Sequence, residues 1–171
     1  MKLDRNNQLL AVVLVVQLVL LAVFGLTGRP APAETNRGAL IPDYKTEAVT
    51  ALTITEPGKT PLKIERGEGD TWILPDADSF PVLADRVTQF LGVLEKLETR
   101  RLVAQNASSH KRLKVAADDY ERLVEVQMGE TTHRLYLGAS AGGSTSYTRL
   151  DDAGSVYLND GLSIWQISAS E

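Results

Sequence analysis

Residues 122–137 read RLVEVQMGETTHRLYL, and their alternation decides the fold. Val124, Val126 and Met128 fall on one face of a strand, because side chains alternate sides with a period of two. Gly129-Glu130-Thr131-Thr132 turns the chain. His133, Leu135 and Leu137 then alternate on the way back, with Arg134 and Tyr136 opposite. Two such runs around a Gly-bearing turn predict an antiparallel hairpin. Downstream, Gly138 to Ser144 reads as a flexible loop, Tyr147 to Leu150 as a strand, Asp151-Asp152-Ala153-Gly154 as a tight turn and Val156-Tyr157-Leu158 as the last strand.

Upstream the pattern repeats. Val49 to Ile54 is a strand with Leu52 and Ile54 on one face. In Glu56-Pro57-Gly58-Lys59, Pro and Gly occupy the central places of a type II turn. Leu62 and Ile64 alternate on the return, a Gly-rich turn follows over Arg66 to Asp70, and Thr71-Trp72-Ile73-Leu74 is a third short strand. Between the two sets Leu83, Val87, Phe90, Leu91, Leu94 and Leu97 recur at helical spacing, with Asp85, Arg86, Gln89, Glu95 and Lys96 mainly opposite. This predicts an amphipathic helix of about four turns with Pro81 in its first turn. Leu102-Val103-Ala104 is a short strand, and residues 106–114 are polar and basic with no assignable element.

Leu9 to Leu26, LLAVVLVVQLVLLAVFGL, has no charged residue. At 1.5 Å per residue it makes roughly 27 Å of helix, close to a bilayer's hydrocarbon thickness. The fold class expected is therefore α+β: one N-terminal transmembrane helix, then a mostly antiparallel β-sheet domain with one amphipathic helix packed on it. The expected organisation is a cytoplasmic tail over 1–8, the span over 9–27, a Pro-rich linker over 28–39 and an extracytoplasmic domain over 40–171. A cleaved signal peptide, with Ala31-Pro32-Ala33 as its cleavage site, and a soluble core helix are the competing readings of the apolar run. Lys2 and Arg5 precede the run and Arg29 and Arg37 follow it, a small bias that puts the N-terminus inside and the domain outside the cytoplasm, in the periplasm if the cell has one. Gln17, near the bilayer centre, is the candidate for an intramembrane contact with a partner helix.

Composition narrows the function classes. The chain of 171 residues carries a formal charge of -4, so no basic face advertises nucleic-acid binding. It has no Cys, which excludes disulfides and thiolate chemistry. His110 and His133 are the only histidines, and neither sits in a metal-binding spacing. His110 reads as part of a solvated loop and His133 as a packed or hydrogen-bonded imidazole. Ser140-Ala141-Gly142-Gly143-Ser144 lacks the Lys-Ser/Thr of a phosphate loop, and no Gly-x-Ser-x-Gly elbow occurs. Asp76 with Asp78, Asp118 with Asp119, and Asp151 with Asp152 read as turn residues rather than calcium ligands. Lys111-Arg112-Leu113-Lys114 is a small basic cluster, and Trp72 and Trp165 read as core. No catalytic residue, cofactor-binding residue or metal ligand is assigned, and no cofactor is expected.

Three segments, VTALTITEPGKTPLKIERGEGDTWIL, FPVLADRVTQFLGVLEKLETRRLVAQ and YERLVEVQMGETTHRLYLGASAGGSTSYTRLDDAGSVYLND, cover most of residues 45 to 160. Their pattern of strands, Gly-Lys turn, Trp strand and helix resembles a bacterial family known only as a domain of unknown function. The resemblance implies a single N-terminal span, an extracytoplasmic α+β region and, for some members, association with gliding-motility-type ABC transport components. It carries over no catalytic or binding residue. The function expected is a non-enzymatic accessory or scaffolding subunit of a larger envelope complex, whether of transport, respiratory or photosynthetic type. Its partners would be the lipid bilayer and other membrane-protein subunits, without nucleic acid. A binding module for a small molecule, lipid or glycan is the alternative, and a hydrolase built on an unrecognised carboxylate pair is the third.

Overall fold

The computed structural model describes residues 38–164 together with Leu14 and Gln17. The chain divides into two compact units, Met1–Glu34 and Thr35–Glu171. In the second, nine strands form one antiparallel sheet. In chain order its strands are β1 (Val49–Thr55), β2 (Leu62–Arg66), β3 (Trp72–Leu74), β4 (Phe80–Val82), β5 (Leu102–Ala104), β8 (Arg122–Met128), β9 (Thr131–Gly142), β10 (Thr145–Leu150) and β11 (Val156–Asn159). A separate two-residue hairpin is made by β6 (Val115–Ala116) and β7 (Asp119–Tyr120), and the helix α1 spans Ala84–Glu95.

The spatial order is β4-β3-β2-β1-β8-β9-β10-β11-β5. Two four-stranded meanders, β1 to β4 and β8 to β11, thus lie back to back and join through the antiparallel pair β1·β8, in which Leu52 faces Val126 and Ile54 faces Val124. A bulge between Val49 and Ala51 shifts the register, so that Val49, Leu52 and Ile54 all bury. Glu56 to Lys59 is a tight turn closed by Lys59 N–H on Glu56 O at 3.0 Å, with Gly58 at φ +79°. That positive φ is the reason for a glycine there.

One face of the sheet carries the main core. Leu52, Val124, Val126, Leu135 and Leu137 meet Val87, Leu91, Leu94 and Leu97 from the helical segment. Each fully buried leucine contributes about 1.5–3 kcal/mol over an exposed one. Tyr44 closes the side, its hydroxyl donating to Leu91 O at 3.1 Å. Trp72 is buried as the sequence predicts, with the Arg66 guanidinium 4.9 Å from its ring centre. Arg66 also donates to Val49 O and Thr46 O, both at 3.0 Å, and so ties β2 to the start of β1.

The other face has its own cover, which the sequence pattern leaves unassigned. Asn106 caps a short 3-10 turn, Ala107–Ser109, by accepting from Ser109 N–H and from the Ser108 and Ser109 hydroxyls. The chain then runs through β6 and β7 and buries Leu113 and Val115 against Tyr136 and Val156. Tyr120 meets Tyr136 edge to face, with ring centres 5.8 Å apart.

Several sequence expectations are corrected. The fold class with an N-terminal transmembrane helix over 9–27 is not upheld: no helix of the described residues is long and apolar enough to cross a membrane. Helix α1 has 12 residues, roughly 18 Å against the roughly 30 Å of a bilayer core. It also carries Asp85, Arg86 and Glu95. Of 9–27 only Leu14 and Gln17 are described, both helical and exposed, and the rest lies outside the described residues. The described architecture is a mostly antiparallel sheet with one amphipathic helix. That helix is about three turns rather than four, because Pro81 sits in strand β4 and not in the helix. Leu83 therefore precedes the helix and is 73% exposed instead of buried. Residues 138–142 continue β9 rather than forming a loop, since Ser140 and Gly142 pair with β10. His110 is buried, not solvated: its Nε2 lies 2.9 Å from Gly154 O. Trp165 lies outside the described residues.

Candidate functional site

Chemistry-bearing side chains gather where β9, β10 and the turn after β10 meet. His133 Nδ1 lies 3.0 Å from Asp151 Oδ2. The other oxygen, Oδ1, accepts the Arg134 backbone N–H at 2.7 Å, and Asp151 N–H returns to Arg134 O at 2.7 Å. Asp151 holds φ +47°, a left-handed conformation that aspartate tolerates in turns. Arg134 reaches Asp152 at 3.3 Å. A His–Asp pair is the orienting half of a catalytic triad. Here both carboxylate oxygens are used to fasten a turn, and the imidazole nitrogen that faces Asp151 is spent on the same task.

Behind this turn lies Arg149, which is 3% exposed. Its Nε donates to Val115 O at 2.6 Å, its Nη1 donates to Asp151 O, and its guanidinium stacks on Tyr136 at 4.1 Å. A cation this deep persists only when its donors are matched. The sequence gives no sign of it, since Arg149 sits in an ordinary strand pattern.

The other candidates resolve as pairs. Lys111 bridges Asp118 at 2.8 Å and Lys114 bridges Asp119 at 2.8 Å, so the basic cluster and one carboxylate pair hold the β6–β7 cover together. Hydrogen bonding to Lys111 keeps Asp118 below the ordinary carboxylate value. Asp160 accepts from the Thr145 hydroxyl at 2.7 Å and from Arg101 at 3.1 Å; both hold it low, the hydroxyl more strongly. Among the described residues no three His, Asp or Glu side chains converge as a metal site requires.

Two open depressions flank the end of α1. One, of about 570 Å³, is lined by Gly38, Ala39, Glu95, Lys96, Leu97, Glu98 and Arg100. The second, about 340 Å³, shares Lys96, Glu98 and Arg100 and adds the Arg101–Asp160 pair. Both mix charges and carry no aromatic side chain, so neither has the apolar lining of a small-molecule pocket.

The corner formed by β4 and the start of α1 differs. Phe80 is 64% exposed and Leu83 73% exposed, with exposed Pro81 between them in sequence. Asp76 and Asp78 stand on one side of this pair in the chain and Asp85 on the other. The sequence signal for it is the Phe-Pro-Val-Leu run, which the helical periodicity absorbed.

A family model described as a domain of unknown function, DUF4340, matches residues 72–170, more than half of the chain and from β3 through β11. No curated protein and no solved structure matches it.

Proposed function

The chain belongs to the family described as a domain of unknown function, DUF4340, and on that footing we propose that it is a non-catalytic accessory or scaffolding subunit that contacts protein partners through its sheet domain. The observation that carries the proposal is the exposure of large apolar side chains at both rims of the sheet, Phe80 and Leu83 beside β4 and Val103 on β5. Apolar side chains left in solvent at a sheet rim are available to a partner surface. The internal use of the polar groups supports the same reading. His133, Asp151, Arg149 and the Lys111–Asp118 and Lys114–Asp119 pairs all hold the fold together. The partner assembly suggested by the family resemblance is a transport complex of the gliding-motility ABC type in a bacterial envelope, with the domain on the extracytoplasmic side.

A binding module for a small molecule, lipid or glycan is the second reading, and the depressions beside Lys96 and Arg100 speak for it. Their open, charged walls without aromatic rings favour the scaffold. The test is cross-linking of the full-length chain at its native level in its own cells, followed by isolation in mild detergent. A partner at fixed stoichiometry is expected. A monomer that carries no partner protein overturns the proposal.

A further inference from the structure

The face of the sheet opposite α1 is covered only in part. The β6–β7 segment stands over its Leu123–Tyr136 end. The rows that cross β1 at Thr53 and Ala51 stay open, and the Lys63 and Glu65 side chains there are 44% and 36% exposed. Residues opposite one another in an antiparallel pair share a face, so register fixes the members of each row. Thr53 is opposite Lys63 on β2 and opposite Glu125 on β8, and Glu125 is opposite Arg134 on β9. Asp76 stands at the end of β3, near Lys63. It adds to the stronger effect of the Glu65 hydrogen bond in favouring the charged lysine. Across the strands the row is therefore Arg134, Glu125, Thr53, Lys63 and Asp76, or plus, minus, neutral, plus, minus. Positions the same number of strands from Thr53 carry opposite signs. In the next row Gln127 and Glu65 flank Ala51, an amide and a carboxylate on either side of a small residue. The local ion pairs, Lys63–Glu65 at 2.6 Å and Arg134–Asp152 at 3.3 Å, are exposed and worth little on their own. The Glu125 carboxylate has no ion-pair partner among the described residues.

Going beyond the scaffold reading and independently of it, we infer that this open face stacks on the same face of a second copy of the chain, about a two-fold axis that runs along β1 over Thr53. A half-turn about that axis exchanges the two sides of each row. Lys63 then faces the partner's Glu125, and Arg134 reaches toward the partner's Asp76. Glu65 meets the partner's Gln127, which can donate its amide. Thr53 and Ala51 meet their own counterparts, and their small size lets the sheets approach to the roughly 10 Å of packed sheets. Aligned sheets cross at about 30°, so the match is tightest one strand from the axis, where Lys63 and Glu125 stand. Such a contact is isologous and closes after two copies. Charge selects this occupant. Glu65 and Asp152 leave the face slightly acidic, so an anionic membrane is not attracted to it. The antisymmetric row, by contrast, is its own complement.

The test uses the full-length chain in mild detergent. The sequence has no Cys, so Thr53→Cys supplies a single thiol. A short bis-maleimide should then join two copies through position 53. Gln89→Cys, exposed on α1 across the sheet, should give no joined pair. In the Thr53→Cys chain, Lys63→Glu and Glu125→Lys each set like charges against one another and should lower the yield roughly tenfold or more. Made together they restore opposite charges and should recover most of it. Unfolding midpoints should shift by roughly a few degrees at most, as expected of surface substitutions. The inference is overturned by no joined pair from position 53, or by an equal yield from position 89. A yield that ignores the single reversals overturns it too, as does a joint variant that stays as low as the singles. None of these results touches the scaffold reading, whose partner is a different protein.

Discussion

The Arg149 guanidinium lies 4.1 Å from the centre of the Tyr136 ring, and the same side chain donates to Val115 O on the segment that covers it. One cation therefore joins the sheet, its cover and the turn at Asp151. Arg149→Ala leaves the buried Val115 carbonyl and the half-buried Asp151 carbonyl without this donor and removes the stack. The expected loss is about 2–4 kcal/mol. Arg149→Lys keeps the charge but not the planar fork, and should recover only part of it. Urea unfolding checks this through a lower midpoint at an unchanged slope.

Gly138 in β9 and Gly92 in α1 should respond oppositely to alanine. A Cβ at Gly138 would collide with Leu113 O and come within 2.7 Å of Val115 Cγ1, so the cover must lift. Overpacking of this kind costs about 1–3 kcal/mol or more. A Cβ at Gly92 meets nothing within 4 Å. Gly92→Ala should stabilise by about 0.5–1 kcal/mol, because alanine is the better helix former. Thermal midpoints of the two variants moving in the same direction would contradict this account.

His133 and Asp151 form a turn clasp. His133→Ala, Asp151→Ala and the double variant should therefore show a coupling of about 0.5–2 kcal/mol in a double-mutant cycle of unfolding free energies. Additive effects would show that the 3.0 Å contact contributes no pairwise energy.

Asp118 and Asp160 are both held below the ordinary carboxylate value. Their folded forms bind a proton less readily than the unfolded chain does. The stability they contribute is present above about pH 4 and is lost as pH falls through their folded values. Thr145→Val removes the larger support of Asp160, so its carboxyl titration, followed by NMR, should move up toward the ordinary value.

Tyr44 responds at the opposite end of the scale. Burial, the larger cause, and nearby Glu95 and Glu47 raise its phenol above the ordinary value. The folded state favours the neutral phenol. Its contribution is full below about pH 10 and declines as pH rises beyond that, where the unfolded chain ionises first. Tyr44→Phe should flatten the alkaline fall in unfolding midpoint between about pH 10 and 11.

Alternation made the sheet legible, and helical spacing made α1 legible. Val124, Val126, Leu135 and Leu137 bury on the face that their period assigns. What escaped depends on distant partners. Arg149 looks like any exposed strand cation until Val115 and Asp151 supply acceptors from elsewhere in the chain. His110 looks solvated among Ser108, Ser109 and Lys111 until Gly154 O arrives from the β10–β11 turn. The β6–β7 cover has two-residue strands, too short for any period to register. Leu83 fits the helical stripe by spacing, and only the extended course of Pro81 and Val82 takes it off that stripe. The apolar run of 9–26, from which the sequence predicts a span, lies outside the described residues except for Leu14 and Gln17, and no helix of the described residues is long and apolar enough to cross a membrane.

The middle seam has a bearing on how the polypeptide is made. Thr55 aligns with Leu123, and Ile54 with Val124, so the flank of β1 is completed only by residues synthesised much later. At typical rates of synthesis that delay is on the order of 3–14 s. Through it the leading half presents a bare margin that carries Val49, Leu52 and Ile54. A nascent chain stalled before Arg122 should be a client of ribosome-associated chaperones, and one released beyond Asn159, where β11 is complete, should not.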